Sequence, residues 1–197
     1  MKRKSEEKRK TRETDIAIEL ELSSLENSVI DSGVPFFDHM LSSLSRHGRF
    51  FLKLSCSGDH HIDDHHSVED IGISLGSAFR KILGDKKGIR RFGDATVPMD
   101  DALTLAAVDL SGRAYFRYDG MELKGTIKKY SEELTIEFLR SFASSAGINL
   151  HVKVINGENR HHIHESIFKA LGIALFKAYS IDGSLENSIP STKGTLA

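Results

Sequence analysis

The chain has 197 residues, 39% of them hydrophobic, and a formal net charge of −1. That length suits one sizeable domain or two small fused ones, and the balanced charge gives no global field toward nucleic acid or a membrane. Cys56 is the single cysteine, which excludes an internal disulfide, and no apolar run approaches the ~18 residues of a membrane span. The basic start, Met1-Lys2-Arg3-Lys4, is followed by no apolar stretch of the secretory kind, so the cytoplasm is the expected compartment.

Residues 2–12 carry seven basic and two acidic side chains and read as a frayed, solvated arm. Ile16, Ile18, Leu20 and Leu22 then alternate with polar residues, the pattern of a half-buried strand with Glu13 at its entrance. A short strand is expected near Ser28–Asp31. Pro35 suits a helix start, and Phe37, Met40, Leu41 and Leu44 form an apolar stripe that ends at His47-Gly48; His39 lies off this stripe. Residues 50–56 read as a strand that buries Cys56. The polar stretch from Gly58 to His66 leads into a second helix, with Asp63 or Asp64 as N-cap, whose inner face carries Val68, Ile71, Leu75, Ala78 and Phe79. Gly88–Gly93 is a basic loop between halves. Ala102–Val108 reads as a buried strand or strand pair, Ser111-Gly112-Arg113 as a turn and Ala114–Tyr118 as a strand. Leu134, Phe138, Leu139, Phe142 and Ala146 space as a helix closed by Gly147. Ile148, Leu150, Val152 and Val154 alternate as a strand, and a last helix follows with Ile167, Leu171, Ala174, Leu175 and Ala178 inside.

The chemistry gathers on two copies of one motif. His65-His66-Ser67-Val68-Glu69 recurs 96 residues later as His161-His162-Ile163-His164-Glu165. Helical positions i and i+4 share a face, ~6 Å apart along the axis. His65 and Glu69, and likewise His161 and Glu165, therefore each offer half a coordination shell for a divalent metal. His66 and His162 point about 100° away, toward another site. The likeness extends beyond the ligands, pairing Ile71 with Ile167, Leu75 with Leu171, Gly76 with Gly172, Ala78 with Ala174 and Lys81 with Lys177. This is a duplicated helix, and the surrounding strands and helices repeat with it. The expected fold is α+β and internally duplicated, two β-sheets sandwiching four helices in one compact domain. Its parts are an arm over 1–12, half-repeats over 13–93 and 94–182, and a tail over 183–197. Arg91 and Arg113 carry the guanidinium forks that phosphate recognition needs, and Ser191, Lys193 and the glycine beside them can close over a phosphate. These residues lead as far as a two-metal site beside an anion pocket. A dinuclear metal phosphohydrolase or a non-catalytic metal-assembled structural protein would fit the same features.

Assembled in order, the motifs resemble the imidazoleglycerol-phosphate dehydratases, hydro-lyases of histidine biosynthesis. The blocks are Arg12-Glu13-Thr14, Phe37-Asp38-His39-Met40, Gly58-Asp59, His65-His66 with Glu69-Asp70, Arg91-Phe92-Gly93, Pro98-Met99-Asp100, Asp109 to Arg113, Asn159 to Glu165, Phe168-Lys169-Ala170 and Pro190 to Gly194. The resemblance implies two Mn²⁺ ions per active site, a small phosphate substrate whose imidazole engages both, and homo-oligomers in which trimers assemble into a 24-mer with sites at subunit boundaries. Metal A would take His65, Glu69, His162 and Glu137; metal B would take His161, Glu165, His66 and His39. The family usually carries histidine where this chain has Glu137, so Glu137, or else His151 or His164, supplies that ligand. Glu13 is the implied proton carrier. His39 and His47 would touch the substrate alongside Glu13, and Arg91, Arg113, Lys169, Ser191 and Lys193 would hold its phosphate.

Overall fold

The computed structural model describes residues 3–185 and 188–196; the first two residues of the expected arm and residues 186, 187 and 197 of the expected tail lie outside them. The first half runs β1 (Lys4–Lys10), β2 (Thr14–Leu22), β3 (Val29–Asp31), α1 (Pro35–His47), β4 (Phe50–Gly58) and α2 (His65–Leu83). The second runs β5 (Phe92–Met99), β6 (Ala102–Asp109), β7 (Tyr115–Asp119), α3 (Glu133–Ala146), β10 (Asn149–Asn156) and α4 (Arg160–Tyr179). A small hairpin, β8 (Thr126–Ile127) and β9 (Tyr130–Ser131), is inserted between β7 and α3.

The duplication holds at the level of topology. The sheets are ordered β1-β2-β4-β3 and β5-β6-β10-β7. In each, the long central pair is antiparallel (β2 with β4, β6 with β10) and the last strand is parallel to its neighbour (β3 with β4, β7 with β10). Helix α2 lies on the first sheet and α4 on the second, while α2 packs on α3 and α4 on α1. Each metal-type helix is thus clasped by a helix from the other half, and the four apolar stripes meet between two sheets, as expected. The rings of Phe37, Phe138, Phe142 and Phe168 stack or meet edge-on at the centre.

The matched glycines have a physical cause. A β-carbon on Gly76 would stand 2.6 Å from the Phe142 carbonyl oxygen, and one on Gly172 would stand 2.7 Å from that of Leu44. Both glycines let two helix backbones approach where a side chain would wedge them apart.

Two expectations need correction. The arm is not frayed: residues 4–10 form an edge strand paired with β2 from Lys4–Glu21 to Lys10–Asp15. Its alternate side chains find partners that composition cannot reveal. Ser5 donates to the Ala78 carbonyl (3.0 Å), Glu7 meets Lys81, and Arg9 meets Asp70 (2.9 Å), all on α2. Phe92–Met99 is a strand rather than the end of a loop, so the second sheet opens at Phe92. Its two fully buried residues, Gly93 and Ala95, are small, and a β-carbon on Gly93 would stand 2.0 Å from the Ala174 carbonyl oxygen, so this part of the strand approaches α4 too closely to carry large apolar side chains.

Candidate active site

The start of each metal-type helix is fixed by a carboxylate or amide 96 residues apart. The Asp63 side chain accepts from the His65 N–H (2.8 Å), and that of Asn159 from the His161 N–H (2.9 Å). On α4, His161 Nε2 lies 3.3 Å from Glu165 Oε2. Helix α1 brings His39 to the same oxygen at 3.8 Å, and the ligand atoms of the three residues lie within 4.8 Å of one another. The other Glu165 oxygen accepts from Lys169 Nζ at 2.9 Å. Burial raises the Glu165 pKa, but the Lys169 ammonium together with His39 and His161 outweighs it, and the balance lies below the usual value. His39, His47, Glu165 and Lys169 line a cleft of about 430 Å³. Burial, then the Lys169 charge, hold the His47 pKa down.

The second histidines of the two motifs are oriented alike. His66 Nδ1 lies 2.9 Å from Asp59 Oδ2, and His162 Nδ1 lies 2.6 Å from Asp101 Oδ1. A carboxylate at Nδ1 keeps the proton there and leaves the Nε2 lone pair for a metal. Asp101 also accepts from the N–H groups of Glu158 and Asn159; His162 first, then these, hold its carboxyl far below the ordinary range. His66 Nε2 lies 3.9 Å from Glu13 Oε1, and Glu13, Asp59 and His66 form a second convergent group.

The remaining candidates stand apart within one chain. His65 and Glu137 line a cleft of about 620 Å³, where Arg140 lies 3.9 Å from Glu137. Glu69 is half-buried on α2, and His162 Nε2 lies 3.5 Å from Asp100. Neither four-ligand set assembles within the described residues of a single chain: His39, His161 and Glu165 converge, while His66 joins Glu13 and Asp59 instead. His164 is sealed in the core, with Nδ1 2.7 Å from Thr135 Oγ1 and its pKa pushed by burial down to about 4. His151 stands exposed on β10 beside Tyr115.

Of the anion-binding candidates, Arg91 forks onto Asp109 (2.7 and 3.1 Å) and donates to the Pro190 carbonyl (2.8 Å), which ties the tail to the second sheet. Arg113 is exposed at its turn. Ser191 and Lys193 sit in a tight turn in which Ser191 Oγ accepts from the Lys193 N–H (3.2 Å). Sequence reasoning gave no role to Asp101 or to the Arg160–Glu132 ion pair at the head of α4. Neither lies near its partner in the chain, so only the β5–β6 hairpin and the α3 start could reveal them.

A family model for imidazoleglycerol-phosphate dehydratase matches residues 32–175. The chain is 54% identical over 196 residues to the imidazoleglycerol-phosphate dehydratase of Leptospira biflexa, and 52% identical over 196 residues to that of Frankia casuarinae, covering 100% of both chains in each case. The crystal structure of the Staphylococcus aureus enzyme superposes with a TM-score of 0.80 at 33% identity, covering 90% of this chain and 100% of that one. That of the Pyrococcus furiosus protein gives 0.81 at 34%, covering 96% and 99%. The chain belongs to the imidazoleglycerol-phosphate dehydratase family.

Proposed function

We propose that this protein removes water from imidazole glycerol phosphate to give imidazole acetol phosphate in histidine biosynthesis, in the cytoplasm, with two Mn²⁺ ions per active site. The observation that carries the reading is the convergence of His39, His161 and Glu165 within 4.8 Å beside a cleft that also holds His47 and Lys169. An imidazole–carboxylate set, with Nδ1 of His66 and His162 held by Asp59 and Asp101, suits Mn²⁺. Bound there, the cations would draw electron density from an imidazole ring and make it the electron sink that a substrate without a neighbouring carbonyl lacks.

The chain's own residues do the rest. Glu13, half-exposed beside His66, carries the proton at carbon. Lys169, Arg113, Ser191 and Lys193 hold the phosphate away from the reacting carbons, so that its binding energy positions the diol. Arg91 supports them by anchoring Pro190. Metal A takes His65, Glu69, His162 and Glu137, a carboxylate where the family usually has histidine; metal B takes His161, Glu165, His66 and His39. The distance of His66 from the other three within one chain supports a site completed by a neighbouring copy, in trimers that close into a 24-subunit shell.

The test is incubation of the purified, Mn²⁺-loaded protein with imidazole glycerol phosphate. Formation of the enolisable ketone with its phosphate retained is expected. Release of inorganic phosphate, or no reaction, overturns the reading.

A further inference from the structure

Asp70 follows Glu69 on α2 and is buried, 6% exposed. Its Oδ2 accepts from Thr14 Oγ1 (2.5 Å), and its Oδ1 from Arg9 Nε (2.9 Å) and a terminal guanidinium nitrogen (2.8 Å). Thr14 opens β2 and Arg9 lies near the end of β1, so one carboxylate grips both strands on either side of the turn at 11–13. Inside that turn, Thr11 Oγ1 accepts from the N–H groups of Glu13 (3.1 Å) and Thr14 (2.9 Å). The turn carries Glu13, whose carboxylate lies 3.9 Å from His66 Nε2.

The duplication supplies an internal control. The residue 96 positions after Asp70 is Ser166, and it meets Thr104 of β6 through two buried hydroxyls, 2.7 Å apart. The second half joins the same strand to the same helix with a neutral pair. Burying a carboxylate carries a desolvation cost that a hydroxyl pair avoids. Only the half whose hairpin bears Glu13 keeps the charged arrangement. The opposite hairpin instead holds Asp101 through the N–H groups of Glu158 and Asn159.

We infer that Asp70, acting through Thr14 and Arg9, is a positioning residue that sets the Glu13 turn against His66. The inference rests on the reading of Glu13 as the proton carrier. Its test compares Thr14→Val and Asp70→Asn with Thr104→Val, the matched loss of a hydroxyl in the other half, and with Thr14→Ser as rescue. Turnover of imidazole glycerol phosphate, bound Mn²⁺, melting temperature and amide exchange at Glu13 and Thr14 are measured together. Displacing a reacting group by ~1 Å costs on the order of 100-fold. Thr14→Val and Asp70→Asn should therefore lose about that in kcat, keep KM and metal content, and speed exchange in the turn. Thr14→Ser should restore turnover, and Thr104→Val should lower the melting temperature without slowing turnover or loosening the turn. Unchanged kcat and exchange in Thr14→Val overturn the inference, as does an equal loss of kcat in Thr104→Val. Should Asp70→Asn fail to fold, Thr14→Val decides alone. Full turnover in Glu13→Gln is a separate outcome: it removes the proton-carrier reading, and the inference with it, whereas the exchange data still report whether Asp70 orders the turn.

Discussion

Adding one methyl group at either matched glycine tests the helix layer and the duplication together. In Gly172→Ala the new carbon would lie 2.7 Å from the Leu44 carbonyl oxygen and 2.9 Å from the Gly48 nitrogen. In Gly76→Ala it would lie 2.6 Å from the Phe142 oxygen and 2.9 Å from the Ala146 nitrogen. These neighbours are backbone atoms, so relief requires a helix to move rather than a side chain to rotate. Overpacking of this kind costs about 1–3 kcal/mol, and backbone contacts place both sites at the upper end. Alanine returns about 1 kcal/mol of helix propensity relative to glycine. The net loss is about 2 kcal/mol, or a fall in melting temperature of about 4–8 °C for a domain of this size. Gly183→Ala, where nothing lies within 4 Å of the added carbon, is the control and should melt with the parent. Scanning calorimetry of all three variants is the assay. A variant of Gly76 or Gly172 as stable as the parent would refute the close-approach argument, and a loss at one site but not the other would refute the equivalence of the two halves.

Three further outcomes are expected. Glu132→Gln removes the buried carboxylate (1% exposed) that Arg160 grips at the head of α4. Breaking a buried pair costs about 3–5 kcal/mol, and Arg160 can partly rehydrate, so chemical denaturation should show a loss of about 2 kcal/mol. Asp59→Asn and Asp101→Asn should each weaken Mn²⁺ binding about 10–100-fold by calorimetric titration, because each loosens an imidazole orientation; undiminished affinity in both would detach these carboxylates from the metal. Glu13→Gln should retain both metals and substrate binding while losing most turnover, and normal rates would exclude Glu13 as proton carrier.

The four helices were legible because each carries a stripe at helical spacing, and the duplication because it repeats ligands, core residues and a crossing glycine at one offset. The β1 strand was not legible: its charges read as solvated, whereas Lys81 and Asp70 of α2 and Glu21 and Asp15 of β2 give them partners in the fold. The β5 strand was hidden for the opposite reason, since Gly93 and Ala95 are small where α4 comes close. At the site, residue types and spacing named His161 and Glu165 as a pair, and the structure brings them together. The approach of His39 depends on how α1 meets α4, and the Asp101–His162 contact on a hairpin 61 residues upstream, neither of which has a local signature.

The most direct test of the twinned metal site is a crystal structure of the Mn²⁺-loaded protein with anomalous diffraction at the manganese edge. The account predicts two peaks per active site, one held by His39, His161 and Glu165 with His66 supplied by a neighbouring copy, the other by His65, Glu69, Glu137 and His162. Absence of manganese between these groups in every assembled neighbour would contradict it.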